Sequence, residues 1–247
     1  MSALPPPPDP PRSAGTPVPA EDAAATSARG TGFGAALRGR GPAGFLGMLV
    51  VVGLGGAIEP LNALLLPFWV AVTRTPWRAF GFVRPKSLAR TIVVGVLLGV
   101  GLKLFLKSVV LPLFGAPPIN AAYHHLQGNS AALPGMLFDV IVGAGFGEEA
   151  IFRAFWFERL GTFLGRGRGP RIATVLITSA WFGFLHVFGQ GVAGAEQALV
   201  TGLVFGTIFA ITGEIWLPMI AHATFDVIAV LIIYAGLETR VAHWFFR

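Results

Sequence analysis

Cysteine is absent from this 247-residue chain. The absence excludes disulfide bonds, metal sites built on thiolates, and a cysteine nucleophile. It says nothing about the redox compartment in which the protein works. Any chemistry that the chain performs must therefore use other side chains.

Charged residues are also scarce. They make up 12% of the chain, whereas 54% of it is apolar and a soluble domain is about 25% charged. This is too little surface charge to solvate a globule of this size. The composition therefore favours one helical membrane domain plus a tail. The net charge of +6 is explained by arginine and lysine in short loops, where they set membrane orientation. We therefore expect no nucleic-acid partner.

The first 40 residues lack any apolar stretch long enough to pack or to insert. They hold a proline run, Pro5 to Pro8, and further prolines among Ala, Ser and Thr. This composition is typical of disorder, and no apolar stretch follows a basic start as in a signal peptide. We predict a disordered tail over 1–40, a transmembrane domain over 41–236, and a short C-terminal tail over 237–247.

Hydrophobic stretches of membrane length follow the tail. A helix that spans the bilayer needs roughly 20 apolar residues. The sequence therefore predicts an all-α fold, a polytopic membrane bundle of about six or seven transmembrane helices. The stretches run from Phe45 to Val72, Leu88 to Phe114, Leu133 to Phe157, Ile172 to Phe188, Ala193 to Ile211, and Ile215 to Ala235.

The first stretch is too long for a single crossing. At about 1.5 Å per residue, a helix from Phe45 to Val72 would be about 42 Å long. Glycine, glutamate, proline and asparagine interrupt it between Gly55 and Asn62. It is therefore either one long broken helix or a hairpin of two short helices.

The distribution of basic residues favours the hairpin. The segments 74–90 and 158–171 are rich in arginine, whereas 115–132 has neither arginine nor lysine. The first two are therefore expected to be cytoplasmic and the third to face outward. The N-terminal tail also carries arginine, so it too is expected to be cytoplasmic, and the first stretch must then cross an even number of times. Lys103 and Lys107 lie towards the outer end of their helix and are expected to snorkel.

Two glutamates and an arginine lie inside the stretch from Leu133 to Phe157. A charge at the bilayer centre costs at least ~2.5–3.5 kcal/mol, so such residues usually have a function. Glu149 and Arg153 are i,i+4 neighbours and can form an ion pair. Glu148 points about 100° away and is a candidate base or metal ligand. The alternative is a buried structural network of all three side chains.

Two further helices bring histidine to a similar depth. His186 lies among aromatic residues, where a hydrogen-bonded core histidine is the alternative to a functional one. His222 and Asp226 are i,i+4 neighbours on one face. A carboxylate beside a histidine fixes its tautomer and raises its basicity. The alternative is a pair that only stabilises the helix.

The remaining ionisable residues of the apolar region have weaker patterns. Asp139 precedes Glu148 by nine residues, which is roughly the opposite face of an α-helix, and we expect it in packing or in an outer vestibule. Glu214 is expected to act as a helix N-terminal charge, and Glu196 to lie near an interface. Solvated loop or tail positions are expected for His124, His125 and His243.

Taken together, these clusters indicate one site. Three helices each carry an ionisable group to mid-membrane depth, and such groups could line a single water-filled cavity. Two histidines and a glutamate also match a zinc site of the His₂Glu type. A proton relay of a transporter or channel uses the same residue types.

The order and spacing of the motifs resemble those of a known family. Glu148-Glu149-x-x-x-Arg153, Phe182-x-x-x-His186 and His222-x-x-x-Asp226 are similar to motifs of the CPBP family. This family comprises the CAAX prenyl proteases and bacteriocin-processing enzymes and is also called Abi. The resemblance covers roughly residues 130–235. The segment from Trp77 to Arg84 also resembles the family's lead-in to a membrane helix. Asp226 differs from the asparagine typical of the CAAX-processing branch, which weakens the inference to prenylated substrates.

The resemblance implies an intramembrane endopeptidase. Glu148 would be the general base that activates water, and His186 would assist it or hold a metal. His222 and Asp226 would bind metal or stabilise the oxyanion. Glu149 and Arg153 would position Glu148 or contact the substrate. The implied cofactor is a divalent metal, with zinc as first choice, although the same geometry supports a metal-free glutamate mechanism. The implied metal ligands are Glu148, His186, His222 and Asp226.

Two other functions stay open at this point. A non-catalytic family member, such as an immunity or scaffold protein, would keep the fold but could lose catalytic groups, and here all the principal polar positions are present. A proton or ion transporter would use Glu and His as a relay. For the peptidase, the expected partners are a peptide or protein substrate at the membrane and the lipid bilayer. The expected location is the plasma membrane of a bacterium.

Overall fold

A computed structural model describes residues 32–56, 58 and 60–246. The described residues form helices and the turns between them, so the predicted all-α class is confirmed. The helices in chain order are α1 (Phe33–Arg38), α2 (Pro42–Gly55), α3 (Leu65–Thr73), α4 (Leu88–Leu113), α5 (133–164), α6 (Arg168–Thr212), α7 (Trp216–Tyr234) and α8 (Glu238–Ala242). Short 3₁₀ turns span Leu61–Leu64, Trp77–Phe80 and His124–Leu126.

Among the described residues, three helices are long and apolar enough to cross a membrane: α4, α6 and α7. Large apolar side chains remain exposed on the outside of the bundle, among them Leu97 on α4 and Phe188 on α6. In water such a surface would aggregate, whereas hydrocarbon solvates it. The length and the surface of these helices therefore agree with an integral membrane protein.

Helix α6 is folded back on itself. It has 45 residues, and Gly191 interrupts it with φ of 66° and ψ of −164°. This backbone conformation is one that glycine adopts readily. A Cβ atom placed on Gly183 would lie 3.2 Å from the Cβ of Leu199. The arms 168–190 and 192–212 are therefore antiparallel neighbours, as the two predicted stretches require.

The first apolar stretch forms a hairpin of two short helices, α2 and α3. A Cβ on Gly47 of α2 would lie 3.2 Å from the indole ring of Trp69 on α3. Both helices pack on α5: Gly55 faces Ile151, and the Trp69 ring lies 4.9 Å from that of Phe155. The structure therefore has the hairpin rather than one long broken helix.

The tip of this hairpin reaches the middle of the bundle. Asn62 is fully buried, and its amide nitrogen donates to the carbonyl of Gly143 on α5 at 3.2 Å. Non-helical backbone at membrane depth is tolerated only when protein surrounds it, and this contact meets that condition. The connection also contains Ala57 and Glu59, which lie outside the described residues.

Parts of both predicted tails are helical among the described residues. Residues 1–31 lie outside the described part, but α1 is helical within the predicted tail. The buried guanidinium of Arg159 donates to the carbonyls of Arg38 and Gly39 at 2.8 and 2.9 Å, which fixes the end of α1. At the other end α8 is packed rather than free, with Glu238 and Val241 buried.

The prediction that Lys103 and Lys107 snorkel is wrong. Their side chains are buried, with residue exposures of 6% and 7%. The ammonium of Lys103 donates to Gln197 Oε1 at 2.8 Å, and that of Lys107 donates to Glu238 Oε1 at 3.2 Å. Internal acceptors thus replace the water that a snorkelling lysine reaches at the interface.

Glycine allows α4, α5 and α7 to pack closely. A Cβ on Gly145 of α5 would lie 2.8 Å from the Cα of Ala223, and one on Gly99 of α4 would lie 2.7 Å from the Cβ of Thr224. Membrane helices associate through such small residues because lipid gives them no hydrophobic drive to pack. The close approach brings His222 of α7 against α5.

Replacing Gly145 by alanine is expected to lower the stability of the bundle by about 1–3 kcal/mol, because the added methyl group would overlap the backbone of α7. Gly135→Ala is the matched control on the same helix, since nothing lies within 4 Å of its added Cβ. Thermal unfolding of both variants in detergent measures the difference. Equal unfolding temperatures for the two variants would contradict the close packing of α5 on α7.

Candidate active site

The ionisable cluster of α5 lies where the helix is widened. Residues Asp139–Glu148 form a π-helix, and a second π-helical segment spans Ala150–Phe155. π-helical segments inside α-helices are frequent at functional sites. A Cβ on Gly147 would overlap the side-chain amide of Asn62, so glycine lets the hairpin tip approach this turn. Glu148 and its neighbours are thereby enclosed by protein.

Glu149 is the centre of a buried polar network. Its Oε1 accepts from Arg153 Nη1 at 2.7 Å and lies 2.7 Å from Nδ1 of His222. Glu149 and Arg153 are both fully buried. The predicted ion pair between them is confirmed. Because the carboxylate can only accept, His222 donates from Nδ1, and Glu149 therefore orients the imidazole.

The second nitrogen of His222 faces two more carboxylates. Nε2 lies 3.3 Å from Asp226 Oδ2 and 3.7 Å from Glu148 Oε2. The predicted proximity of His222 and Asp226 is therefore confirmed. The shortest of the three contacts to the His222 ring is that of Glu149, at 2.7 Å. The sequence pattern did not pair Glu149 with His222. A proton on Nε2 would be directed at the side of the ring where Glu148 and Asp226 lie.

His186 projects from the first arm of α6. Its Nδ1 lies 2.9 Å from the carbonyl of Phe182, one turn earlier. A carbonyl only accepts, so Nδ1 carries the proton of this bond, and the bond fixes the plane of the ring. The rings of His186 and Phe182 are 4.5 Å apart, and the Phe182 ring is also 6.0 Å from that of His222.

Four of the predicted site residues line one cavity of about 310 Å³. These are Glu148, His186, His222 and Asp226. A neighbouring space of about 260 Å³ also reaches Glu148 and His186 and extends to the exposed side chain of Phe188. The structure therefore brings together, on three helices, the groups that the sequence placed at similar depth.

The other two predicted site residues lie behind this cavity. Arg153 is buried against aromatic rings, 4.9 Å from the centre of Phe182 and 5.7 Å from that of Phe205. Such contacts favour a desolvated guanidinium. Of the two predicted roles for Glu149 and Arg153, positioning of the site agrees with this burial and direct contact with substrate does not.

The described residues do not fit the predicted metal site closely. Among them, no three His, Asp or Glu side chains form a group that could hold a metal ion. The Nδ1 contacts of His222 with Glu149 and of His186 with the Phe182 carbonyl do not exclude a metal, because metal-bound histidines make such contacts through their second nitrogen. Zinc ligands need to converge at about 2.0–2.2 Å from one point. A divalent metal at Glu148, His186, His222 and Asp226 therefore stays a prediction.

Asp139 lines the same cavity as Glu148, although we expected it on the opposite face. The reason is the π-helix between them. Nine residues make two and a half turns of an α-helix but about two turns of a π-helix, whose wider turn holds about 4.4 residues because its bonds reach one residue further. The two acids therefore return to the same side.

Several polar residues of the cavity were misplaced or missed in the interpretation of the sequence. Lys103 was predicted to snorkel to the membrane interface. It lines this cavity instead, and its Nζ lies 4.8 Å from the ring centre of Phe225. The i,i+4 spacing of Lys103 and Lys107 within an apolar helix is the signal that could have shown a shared inward face. The other polar lining residues are Asn120, Tyr123, Gln190, Gln197 and Thr201.

A larger vestibule adjoins the cavity at the end of the bundle that carries the segment 115–132. It has a volume of about 510 Å³ and shares Lys103, Asn120, Gln190 and Gln197 with the cavity. Polar side chains thus continue from the vestibule to the carboxylates. Water can reach the interior of the bundle along such a path.

A family model described as "Type II CAAX prenyl endopeptidase Rce1-like" matches residues 130–228. The match covers less than half of the chain but includes α5, α6 and the part of α7 that carries His222 and Asp226. The resemblance inferred from the three motifs is confirmed over these residues. No curated protein and no solved structure matches the chain.

Proposed function

We propose, from the match to the CAAX prenyl endopeptidase family and from the geometry around Glu148, that the protein is an intramembrane endopeptidase. It hydrolyses peptide bonds of membrane-associated substrates with a water molecule activated by Glu148. The observation that carries the proposal is the contact of Glu148 with the oriented imidazole of His222, at 3.7 Å, in a cavity inside an apolar bundle. Ionisable groups are costly in hydrocarbon, so those found there usually have a function.

In the proposed mechanism Glu148 removes a proton from water while the water oxygen attacks the peptide carbonyl carbon. The carbonyl oxygen becomes an oxyanion, which accepts a hydrogen bond from Nε2–H of His222. In this step the ring carries a proton on each nitrogen, one donated to Glu149 and one to the oxyanion. Glu148 then gives the proton to the leaving amine, so that one water is consumed for each bond cleaved. Glu149 holds the ring of His222 throughout, and His186 contributes a second polar contact to the substrate carbonyl or to water.

We also propose a topology in the membrane. Helices α4, α5, α7 and the two arms of α6 would cross the bilayer, and the α2–α3 hairpin would enter and leave on the side of the basic segments 74–90 and 158–171. The predicted count of six or seven is reached only when each half of the hairpin is counted. The N-terminal tail would then be cytoplasmic, in the plasma membrane of a bacterium.

Comparison of membrane proteomes tests the proposal directly. Cells that express the wild-type protein are expected to contain new peptide termini that are missing when Glu148→Gln is expressed at the same level. Each such terminus would identify a substrate and its cleaved bond. Identical sets of termini in the two strains would argue for a non-catalytic immunity or scaffold protein. Proton flux in liposomes that is lost in Glu148→Gln would instead favour a transporter.

Replacing Asp226 by asparagine is expected to lower the cleavage rate by no more than about tenfold. The amide oxygen can still accept a hydrogen bond from His222, and losing the charge of one acceptor costs about 1 kcal/mol. Asp226→Leu removes the acceptor altogether and is expected to lower the rate further. Initial rates on a substrate found in the proteome comparison measure both. A loss as large in the asparagine variant as in the leucine variant would show that the charge, not the hydrogen bond, is needed.

The metal option has its own test. Zinc at about one equivalent per chain in the purified protein, together with loss of activity in chelator, would support the predicted ligand set. Activity that survives exhaustive chelation, with the metal content near zero, would leave water activation to the glutamate and its neighbours alone.

A further inference from the structure

A further cavity lies at the basic end of the bundle, away from Glu148 and Asp226. Its volume is about 310 Å³. Three exposed arginines line it: Arg78 from the 3₁₀ turn before α4, Arg166 from the connection between α5 and α6, and Arg171 from the first turns of α6. Segments that are far apart in the sequence therefore bring three cationic side chains to one concave surface.

The inner wall of this cavity, which we call the arginine cavity, is apolar and closely packed. The rings of Phe157 and Phe209 meet edge to face with centroids 5.0 Å apart, and both line the cavity. A Cβ on Gly81 would overlap the Phe209 ring, so the turn that carries Arg78 packs tightly against this wall. The surface thus combines a cationic rim with an aromatic floor.

One carboxylate also lines the arginine cavity. Glu158 Oε2 lies 3.6 Å from Arg159 Nη1, and its Oε1 accepts from the hydroxyl of Thr162 at 3.3 Å. Arg159 is buried and is not one of the three lining arginines. Its charge offsets that of Glu158, so the rim keeps an excess of positive charge.

Aromatic residues place the arginine cavity at the depth of lipid headgroups. The ring of Phe82 lies 5.1 Å from that of Trp77 and 5.4 Å from that of Trp216, and the Trp216 indole donates to the carbonyl of Val83 at 3.0 Å. Tryptophan is enriched at membrane–water interfaces. The turn that carries Trp77 also carries Arg78, so the arginines lie at that level.

We propose that the arginine cavity binds the phosphate of an anionic phospholipid headgroup. Guanidinium groups bind phosphate through paired hydrogen bonds, and basic pockets between membrane helices on the cytoplasmic side bind anionic headgroups. Arginines that only set orientation need to be on the correct side of the membrane, but they do not need to converge on one cavity. The bound lipid would join the turn before α4 to the α5–α6 connection, and the proposal does not depend on peptidase activity.

The test uses the full-length protein in zwitterionic detergent, with phosphatidylglycerol or phosphatidylcholine added in equal amounts. Native mass spectrometry counts the lipid that stays bound. The variant replaces Arg78, Arg166 and Arg171 together by glutamine. The matched control replaces Arg84, Lys86 and Arg90, which are basic residues at the same end of the bundle but not in the lining of the cavity.

We expect the wild-type protein and the control to retain phosphatidylglycerol in preference to phosphatidylcholine. The cavity variant is expected to lose affinity for phosphatidylglycerol by about a hundredfold, since each of its three arginines near an anionic headgroup contributes about fivefold. Arg78→Gln/Arg171→Gln is a milder variant for use if the triple variant does not fold, and it is expected to show an intermediate loss.

Three results would overturn the proposal. The wild-type protein could show no preference between the two lipids. The control could lose as much affinity as the cavity variant, which would assign the binding to diffuse surface charge. Inorganic phosphate or glycerol phosphate could displace the lipid at equal concentration, which would identify a site for the free ion rather than for a membrane lipid.

Discussion

Glu148→Gln is expected to reduce the rate of peptide-bond cleavage by about a thousandfold. Glutamine has nearly the same shape as glutamate but cannot accept a proton from water, and a positioned general base contributes about 10²–10⁴ in rate. Glu148 lines the cavity beside His222, so the substitution removes the base and leaves the packing around it. The fold should therefore persist while the chemistry is lost.

The matched control for this variant is Asp139→Asn. Asp139 lines the same cavity, so its replacement removes the same charge from the same space without removing the proposed base. Cleavage rates in proteoliposomes at saturating substrate, together with unfolding temperatures, measure both variants. The role of Glu148 would be rejected if its glutamine variant kept more than about a tenth of the activity, or if Asp139→Asn lost as much.

Arg153→Met is expected to destabilise the protein by about 3–5 kcal/mol. The guanidinium and the carboxylate of Glu149 are 2.7 Å apart and fully buried. Removing one member of such a pair leaves the other as an uncompensated charge in a low-dielectric interior. The variant is denatured in detergent, and the loss of the native peak in size-exclusion chromatography measures the effect.

The double variant Glu149→Leu/Arg153→Met separates stability from catalysis. Replacing both charges by apolar side chains of similar size is often close to neutral, so stability should largely return. Activity should not return, because the Nδ1 proton of His222 loses the acceptor at 2.7 Å that orients the ring. A double variant as unstable as the sum of its single variants would show that the two residues do not act as a pair. Full activity in the double variant would show that Glu149 does not position His222.

Local periodicity accounts for what could be predicted of the site. The pair of Glu149 and Arg153 and the pair of His222 and Asp226 each lie one helical turn apart, so a helix alone places them together. The grouping of Glu148 with His186 and His222 followed from the free-energy cost of charge in hydrocarbon, because a shared cavity is the arrangement with the lowest cost.

Contacts between distant segments could not be predicted in this way. Glu149 and His222 are 73 residues apart, and only the close packing of α5 on α7 shows that they meet. Asp139 was placed on the wrong face because nothing in its sequence distinguishes a π-helical segment from an α-helical one. Lys103 was placed at the interface because its acceptor, Gln197, lies on another helix.

The inserted hairpin also constrains the order in which the protein can be built. Helices α2 and α3 have 14 and 9 residues, each too short to be released into the bilayer as a spanning segment of roughly 20 residues. The amide of Asn62 binds a carbonyl that is 81 residues further along the chain, which a ribosome at 5–20 residues per second reaches about 4–16 s later. During that interval the hairpin must wait at the membrane surface or in the insertion machinery. The hairpin thus finds this partner only after α4 and the first part of α5 have been synthesised.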